Sequence, residues 1–169
     1  MIHIVLFEPE IPQNTGNIMR TCAGTYAKLH LIKPLGFSLD EKYLKRSAVN
    51  YIDHCDYTVY ENFEEFKQKN NKGKYFYLTR YGKNVYSDVD YSKIKEDIYL
   101  IFGKESTGIP KEILKDNLDK CLRIPTNGNI RALNLSNCVA LVLFEVLKQK
   151  DFPDLSKVEI IKGADFLEK

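Results

Sequence analysis

The stretch IHIVLFEPEIPQNTGNIMR, residues 2–20, decides the fold. Its first six residues, Ile2–Phe7, are apolar apart from His3. A run this short and this apolar predicts a buried strand rather than a helix. Glu8 and Pro9 break it. The following residues predict a helix from about Thr15 to Tyr26, with Asn14 or Thr15 as its cap and Gly16 supplying free dihedrals beside the strand end. The open N–H groups of such a helix start form a natural anion site, and Arg20 projects near that end. The plain alternative is a helix cap followed by a surface arginine.

Outward from this unit, strands and helices keep alternating. Strands are predicted at Leu29–Ile32, Cys55–Tyr60, Lys74–Thr79, Asp97–Gly103 and Lys120–Pro125, with Asp97–Gly103 continuous enough in apolar residues to be central. Helices are predicted at Asp40–Ala48, at FEEFKQK behind an Asn62 cap, in a short piece near Pro110, and from about Asn134 to Gln149. Six strands alternating with helices predict an α/β domain: a mostly parallel sheet with helices on both faces. The residues after Pro153 carry a weaker pattern and are expected to pack loosely.

Composition narrows the class. The chain has 169 residues, enough for one domain with a real core. The net charge of +2 means that any nucleic-acid surface is a local patch. The longest apolar stretch, Cys138–Leu147, is too short to cross a bilayer, and no leader peptide is read at the start. Cys22, Cys55, Cys121 and Cys138 are scattered without a CxxC pair, and the three histidines form no HExxH. That predicts reduced thiols, no structural zinc and a cytoplasmic protein. His3 and His30 fall inside strands and read as sheet residues. None of Lys74, Lys83 and Lys104 is followed by the hydroxyl residue that a phosphate loop needs, no GxGxxG follows the first strand, and no GxSxG occurs.

The last helix is more apolar than a helix lying on a sheet requires. Nine of the ten residues Cys138–Leu147 are apolar, Glu145 being the exception. A one-sided helix needs a stripe. A second cover is therefore expected, either another helix of the same chain or, preferred here, a partner subunit.

Three loops remain, each after a predicted strand: EPEIPQNTGNIMR (8–20), IFGKESTGIP (101–110) and RIPTNGNIRALNLSN (123–137). Ligands in parallel sheets bind beyond the carboxyl ends of strands, so three such loops suggest one composite pocket. In this order they resemble the three signature motifs of the SPOUT-class RNA 2′-O-ribose methyltransferases. The resemblance is closest to the small single-domain branch that methylates the wobble cytidine or uridine of tRNA, and it covers Ile2 to about Gln149.

The resemblance implies a trefoil knot formed by the second and third motifs within residues 74–150 of a single 1–169 domain, with 151–169 as a tail. It implies S-adenosylmethionine as cofactor, S-adenosylhomocysteine as product, no metal, tRNA as substrate and a homodimer. Leu78, Gly103, Ile124, Ala132 and Leu133 match positions that hold the adenosine. Asn17, Arg20, Glu105 and Asn134 match the polar positions around the reacting groups, and Arg131 matches an arginine just before the knot helix. Many relatives have Ser where this chain has Ala132, so Ala132 is kept out of the catalytic set. The implied reaction is an in-line attack of a ribose 2′-oxygen on the sulfonium methyl group. Arg20 is drawn in the family as a base; a guanidinium stays protonated, so a phosphate contact and stabilisation of the alkoxide are physically easier. Surface candidates for RNA contact are Lys42, Lys45 and Arg46 on the second helix, and Arg80 with Lys83 after the fourth strand. Alternatives are another tRNA position, ribosomal RNA, a silent RNA-binding protein on the same scaffold, and an unrelated small-molecule-binding α/β domain.

Overall fold

The computed structural model describes residues 1–40, Lys42, Leu44, Arg46 and 51–169. Seven strands form one parallel sheet in the order β3-β2-β1-β6-β4-β7-β5. They are β1 (Ile2–Phe7), β2 (Lys28–Ile32), β3 (Tyr57–Tyr60), β4 (Lys74–Leu78), β5 (Asn84–Val85), β6 (Ile98–Phe102) and β7 (Cys121–Arg123). Among the described residues, helices α1 (Pro12–Ala23), α2 (Phe63–Lys69), α3 (Lys111–Lys115) and α4 (Leu135–Gln149) cover it. The sequence predicted six of the strands. β5 was missed because two residues carry no periodicity.

Period-two alternation divides the sheet between two cores. Ile2, Ile4 and Leu6 of β1, with Ile98, Leu100 and Phe102 of β6, face α1 and α4. Val5, Phe7, Tyr99 and Ile101 face α2 and α3. Both faces of the central strands are buried, which is why these strands read as continuous apolar runs.

Two helix starts differ from expectation. Helix α1 starts at Pro12, behind an Ile11 cap that makes no side-chain bond. Asn14 and Thr15 therefore do not cap it; both are buried inside it. Proline at the first helical position has a preset φ and no N–H to leave unpaired, and here that outweighs cap propensity. Pro110 is the cap residue of α3 rather than part of it. The helix expected at 40–48 falls largely outside the described residues; Lys42, Leu44 and Arg46 are helical, with Leu44 buried. Asn62 does cap α2, accepting from the Glu65 N–H at 2.9 Å.

His3 and His30 are sheet residues, as predicted, and they are joined. His3 Nδ1 lies 2.8 Å from His30 Nε2, and His30 Nδ1 lies 2.8 Å from the Tyr60 hydroxyl. Asn70 donates to that hydroxyl at 3.2 Å. One proton order serves the whole chain: Tyr60 O–H donates to His30, His30 Nε2–H donates to His3, and His3 Nε2–H faces the Asp97 carboxylate 3.6 Å away. Both rings are then neutral. Burial pushes the His30 pKa down to about 3 and lowers that of His3. Unfolded histidine titrates near 6.5, so the unfolded chain binds more protons below that pH. Stability is expected to be full above pH 6.5 and to fall as pH drops, with His30 alone costing about 2 kcal/mol at pH 5. Denaturant melts at pH 7 and pH 5 test this. An unchanged pH slope in His30→Phe would contradict the assignment.

Candidate cofactor and RNA site

The carboxyl ends of β1, β4, β6 and β7 open onto a cavity of about 370 Å³. Its apolar wall includes Leu78, Phe102, Ile109, Leu122, Ile124 and Leu133. Three loops build it, and side chains lace them together. The Glu105 carboxylate accepts from the N–H groups of Glu10 (2.8 Å) and Ile11 (3.1 Å) and from Asn14 Nδ2 (3.1 Å). Asn14 Oδ1 in turn accepts from Asn134 Nδ2 at 2.9 Å. Asn134 Oδ1 caps α4, taking the Ser136 N–H at 2.9 Å. The anion at the start of α1 is thus the protein's own Glu105, where charge and helix dipole agree.

A second set of contacts closes the same lattice. The Ser106 N–H and hydroxyl both donate to Glu10, each at 2.8 Å, and hold its carboxyl below the usual carboxylate range. Lys104 pairs with Glu8 at 2.7 Å, which raises the lysine pKa. Arg131 donates to the Ser106 carbonyl at 2.7 Å.

The predicted site residues separate cleanly. Leu78, Gly103, Ile124, Ala132 and Leu133 line the cavity, as do Glu105, Asn134, Arg131 and Arg80. Arg20 and Asn17 do not. Both are exposed on the outer side of α1, where Arg20 lies over the Tyr51 ring at 5.3 Å. Lys42 and Arg46 are exposed, Lys83 is exposed beside β5, and Lys45 lies outside the described residues. Sequence reasoning missed Asn14, the hinge between Glu105 and Asn134. Its only signal was its place among polar neighbours, and it read as a cap. In the turn 79–82, whose Thr79, Arg80 and Tyr81 also line the cavity, charge is the only signal the sequence carries.

Helix α4 explains its excess of apolar residues. Val139, Val142, Leu143, Val146 and Leu147 are buried toward the sheet and α1. Leu141 and Phe144 on the other side are 38% and 46% exposed. No described helix of the chain covers that side. α1 lies beside α4 on the same face of the sheet, and Arg20 on it is also exposed.

An all-parallel sheet whose strand-end loops of motif type meet at one cavity defines a class, and known proteins agree with it. The model of the SpoU rRNA Methylase family matches residues 1–144, and the chain belongs to this family. A Saccharophagus degradans protein named tRNA (cytidine(34)-2′-O)-methyltransferase is 42% identical over 153 residues, covering 90% of this chain and 97% of its own. A solved chain from Bacillus anthracis is 49% identical with a TM-score of 0.88, covering 95% of this chain and all of that one. A further structure, described by its "2-OH methylation of C/U34 on tRNA", is 37% identical with a TM-score of 0.82 over 88% of this chain and 95% of its own.

Proposed function

We propose that this chain methylates the ribose 2′-hydroxyl of the wobble nucleotide, cytidine or uridine 34, of tRNA, with S-adenosylmethionine as donor. The observation that carries the reading is the laced meeting of the three motif loops around one cavity, in a chain of the SpoU family. The cavity has the size and apolar lining usual for small-molecule sites. Apolar side chains from β4, β6 and β7 suit the faces of an adenine, and bare backbone at Gly103 and Ala132 suits its edges. Bound there, S-adenosylmethionine supplies a methyl group on a positively charged sulfur.

The chain's own residues then have separable tasks. Leu78, Ile124 and Leu133 exclude water from the wall. Glu105, Asn14 and Asn134 position the loops, since most of their polar atoms are spent on one another. Ala132 offers only a methyl group and backbone, so no hydroxyl from this position handles a proton. Arg80 and Arg131 at the rim, with Arg123, attract the RNA backbone. Arg20, which lies outside its own subunit's cavity, acts across the proposed dimer boundary, where it orients the ribose phosphate at the other subunit's cavity and stabilises the developing alkoxide.

The working form is a homodimer in the cytoplasm. The uncovered Leu141 and Phe144 support it, and a dimer through that face places Arg20 at a subunit boundary. The segments 103–110 and 124–134 form a trefoil knot. The strand order supports this: the chain leaves β6, adds β7 beyond β4, then returns to lay α4 against α1 and β6.

The test is incubation of the purified protein with radiolabelled S-adenosylmethionine and unmodified tRNA, followed by mapping of the methylated nucleotide. Label at ribose 34 is the expected result. Label at another tRNA position, or only on ribosomal RNA, would replace the proposed substrate. No incorporation across several tRNA pools would defeat the enzyme reading.

A further inference from the structure

One large aromatic stands exposed at the cavity. Tyr81 lines the cavity, yet is 72% exposed. An exposed tyrosine on a mobile loop would mean little, but this one sits on a pinned turn. The Tyr81 N–H donates to Thr79 Oγ1 at 3.3 Å, and the Gly82 N–H donates to the Thr79 carbonyl at 3.2 Å. The Thr79 N–H is itself bonded to the Leu122 carbonyl of β7 at 2.9 Å. Gly82 is pressed so closely on β7 that a Cβ there would fall 2.7 Å from the Leu122 carbonyl carbon. The turn is thus fixed to the sheet, and the ring is held out over the cavity.

Its surroundings are cationic. The Arg80 guanidinium lies 5.3 Å from the ring centroid, a cation–π contact. Arg123 donates to the Arg80 carbonyl at 3.1 Å and presents a second guanidinium at the same rim. A rigid aromatic flanked by arginines is the chemistry that binds single-stranded nucleic acid: charge tracks the phosphates and the ring stacks a base.

We infer that Tyr81 is the stacking platform for the base of the nucleotide that is methylated. The inference rests on the RNA 2′-O-methyltransferase reading above. A ribose whose 2′-oxygen reaches into the cavity carries its base at the rim, and Tyr81 is the large exposed aromatic that lines this cavity. Stacking reads a π-face rather than a hydrogen-bonding edge, so the platform accepts cytidine and uridine alike.

The experiment compares wild type, Tyr81→Ala, Tyr81→Leu and Tyr81→Phe on paired tRNA transcripts with C34 or U34. Wild-type methylation of the transcripts is the control; its absence would refute the enzyme reading and is seen before any variant is measured. Expected is a loss of kcat/KM between about fivefold and a hundredfold in Tyr81→Ala and Tyr81→Leu, equal for the two bases. Tyr81→Phe restores most of it, and calorimetry shows unchanged S-adenosylmethionine affinity in all. A fluorescent pyrimidine analogue at position 34 is quenched by wild type and Tyr81→Phe but not by Tyr81→Ala. Wild-type kinetics in Tyr81→Ala, an equal defect in Tyr81→Phe, a loss confined to one base, or a matching loss of cofactor affinity would each overturn the inference.

Discussion

Arg20→Ala is expected to slow methyl transfer by about two to three orders of magnitude, the cost of removing one preorganised donor from a developing oxyanion. S-Adenosylmethionine affinity should stay at the wild-type value. The division follows from geometry. Arg20 is exposed on the outer side of α1, away from the residues that line the cavity, so the variant leaves the cofactor wall untouched. The Arg20 side chain is exposed and lies over the ring of Tyr51, itself exposed, so its removal takes nothing from the core and the fold should be unaffected. Arg20→Lys separates two roles for the side chain. Lysine keeps the charge but loses the planar fork, so only partial recovery is expected if Arg20 grips a phosphate and an alkoxide together. Single-turnover rates and calorimetry on the same preparations make the comparison. A parallel loss of cofactor binding would show that Arg20 belongs to the cofactor site instead.

The second large effect is expected at Gly103, where the obstacle is backbone rather than chemistry. A Cβ built there falls 2.2 Å from the Gly108 carbonyl carbon, 2.3 Å from the Ile109 nitrogen and 2.5 Å from the Gly108 Cα. None of these atoms can rotate away. The loop closes so tightly because the Gly108 N–H bonds the Lys104 carbonyl at 2.9 Å, directly beyond β6. Gly103→Ala must push 104–109 outward. That displaces Ile109 from the cavity wall and pulls Glu105 off the Glu10 and Ile11 N–H groups. We expect a stability loss of roughly 2–4 kcal/mol and cofactor affinity below detection. Gly108→Ala is the control. Gly108 has φ +76 but open space where a Cβ would go, so the cost there is only backbone strain, about 1–2 kcal/mol. Thermal melts and calorimetry should rank the two in that order. Wild-type cofactor binding in Gly103→Ala would disprove the close-packed loop.

Much of the fold was legible because its signals are local. β1 and β6 are buried on both faces, so they read as unbroken apolar runs whatever surrounds them. Asn62 caps α2 through a bond spanning three residues, a distance the sequence displays. The errors have physical causes as well. Asn14 and Thr15 look like caps because cap propensity is local, whereas the true start of α1 was set by Pro12. β5 pairs through two residues with β7, a contact made by topology and not by pattern. Among site residues, those of the cavity wall were findable because each follows a strand. Asn14 was not, since its partners are 91 and 120 residues away.

Residue chemistry alone determined the parallel α/β class, the three strand-end loops, the absence of phosphate-loop and dinucleotide motifs, and an over-apolar last helix. These follow from periodicity and from the conformational limits of Gly and Pro, which act within a few residues. Only the tertiary structure decided that Glu105 binds the start of α1, that Asn14 joins it to Asn134, that Tyr81 overhangs the cavity while Arg20 lies outside it, and that Leu141 and Phe144 are left uncovered. Each of these depends on which distant strands become neighbours. Hydrogen bonds and burial act over a few ångströms in space, and sequence distance does not measure that.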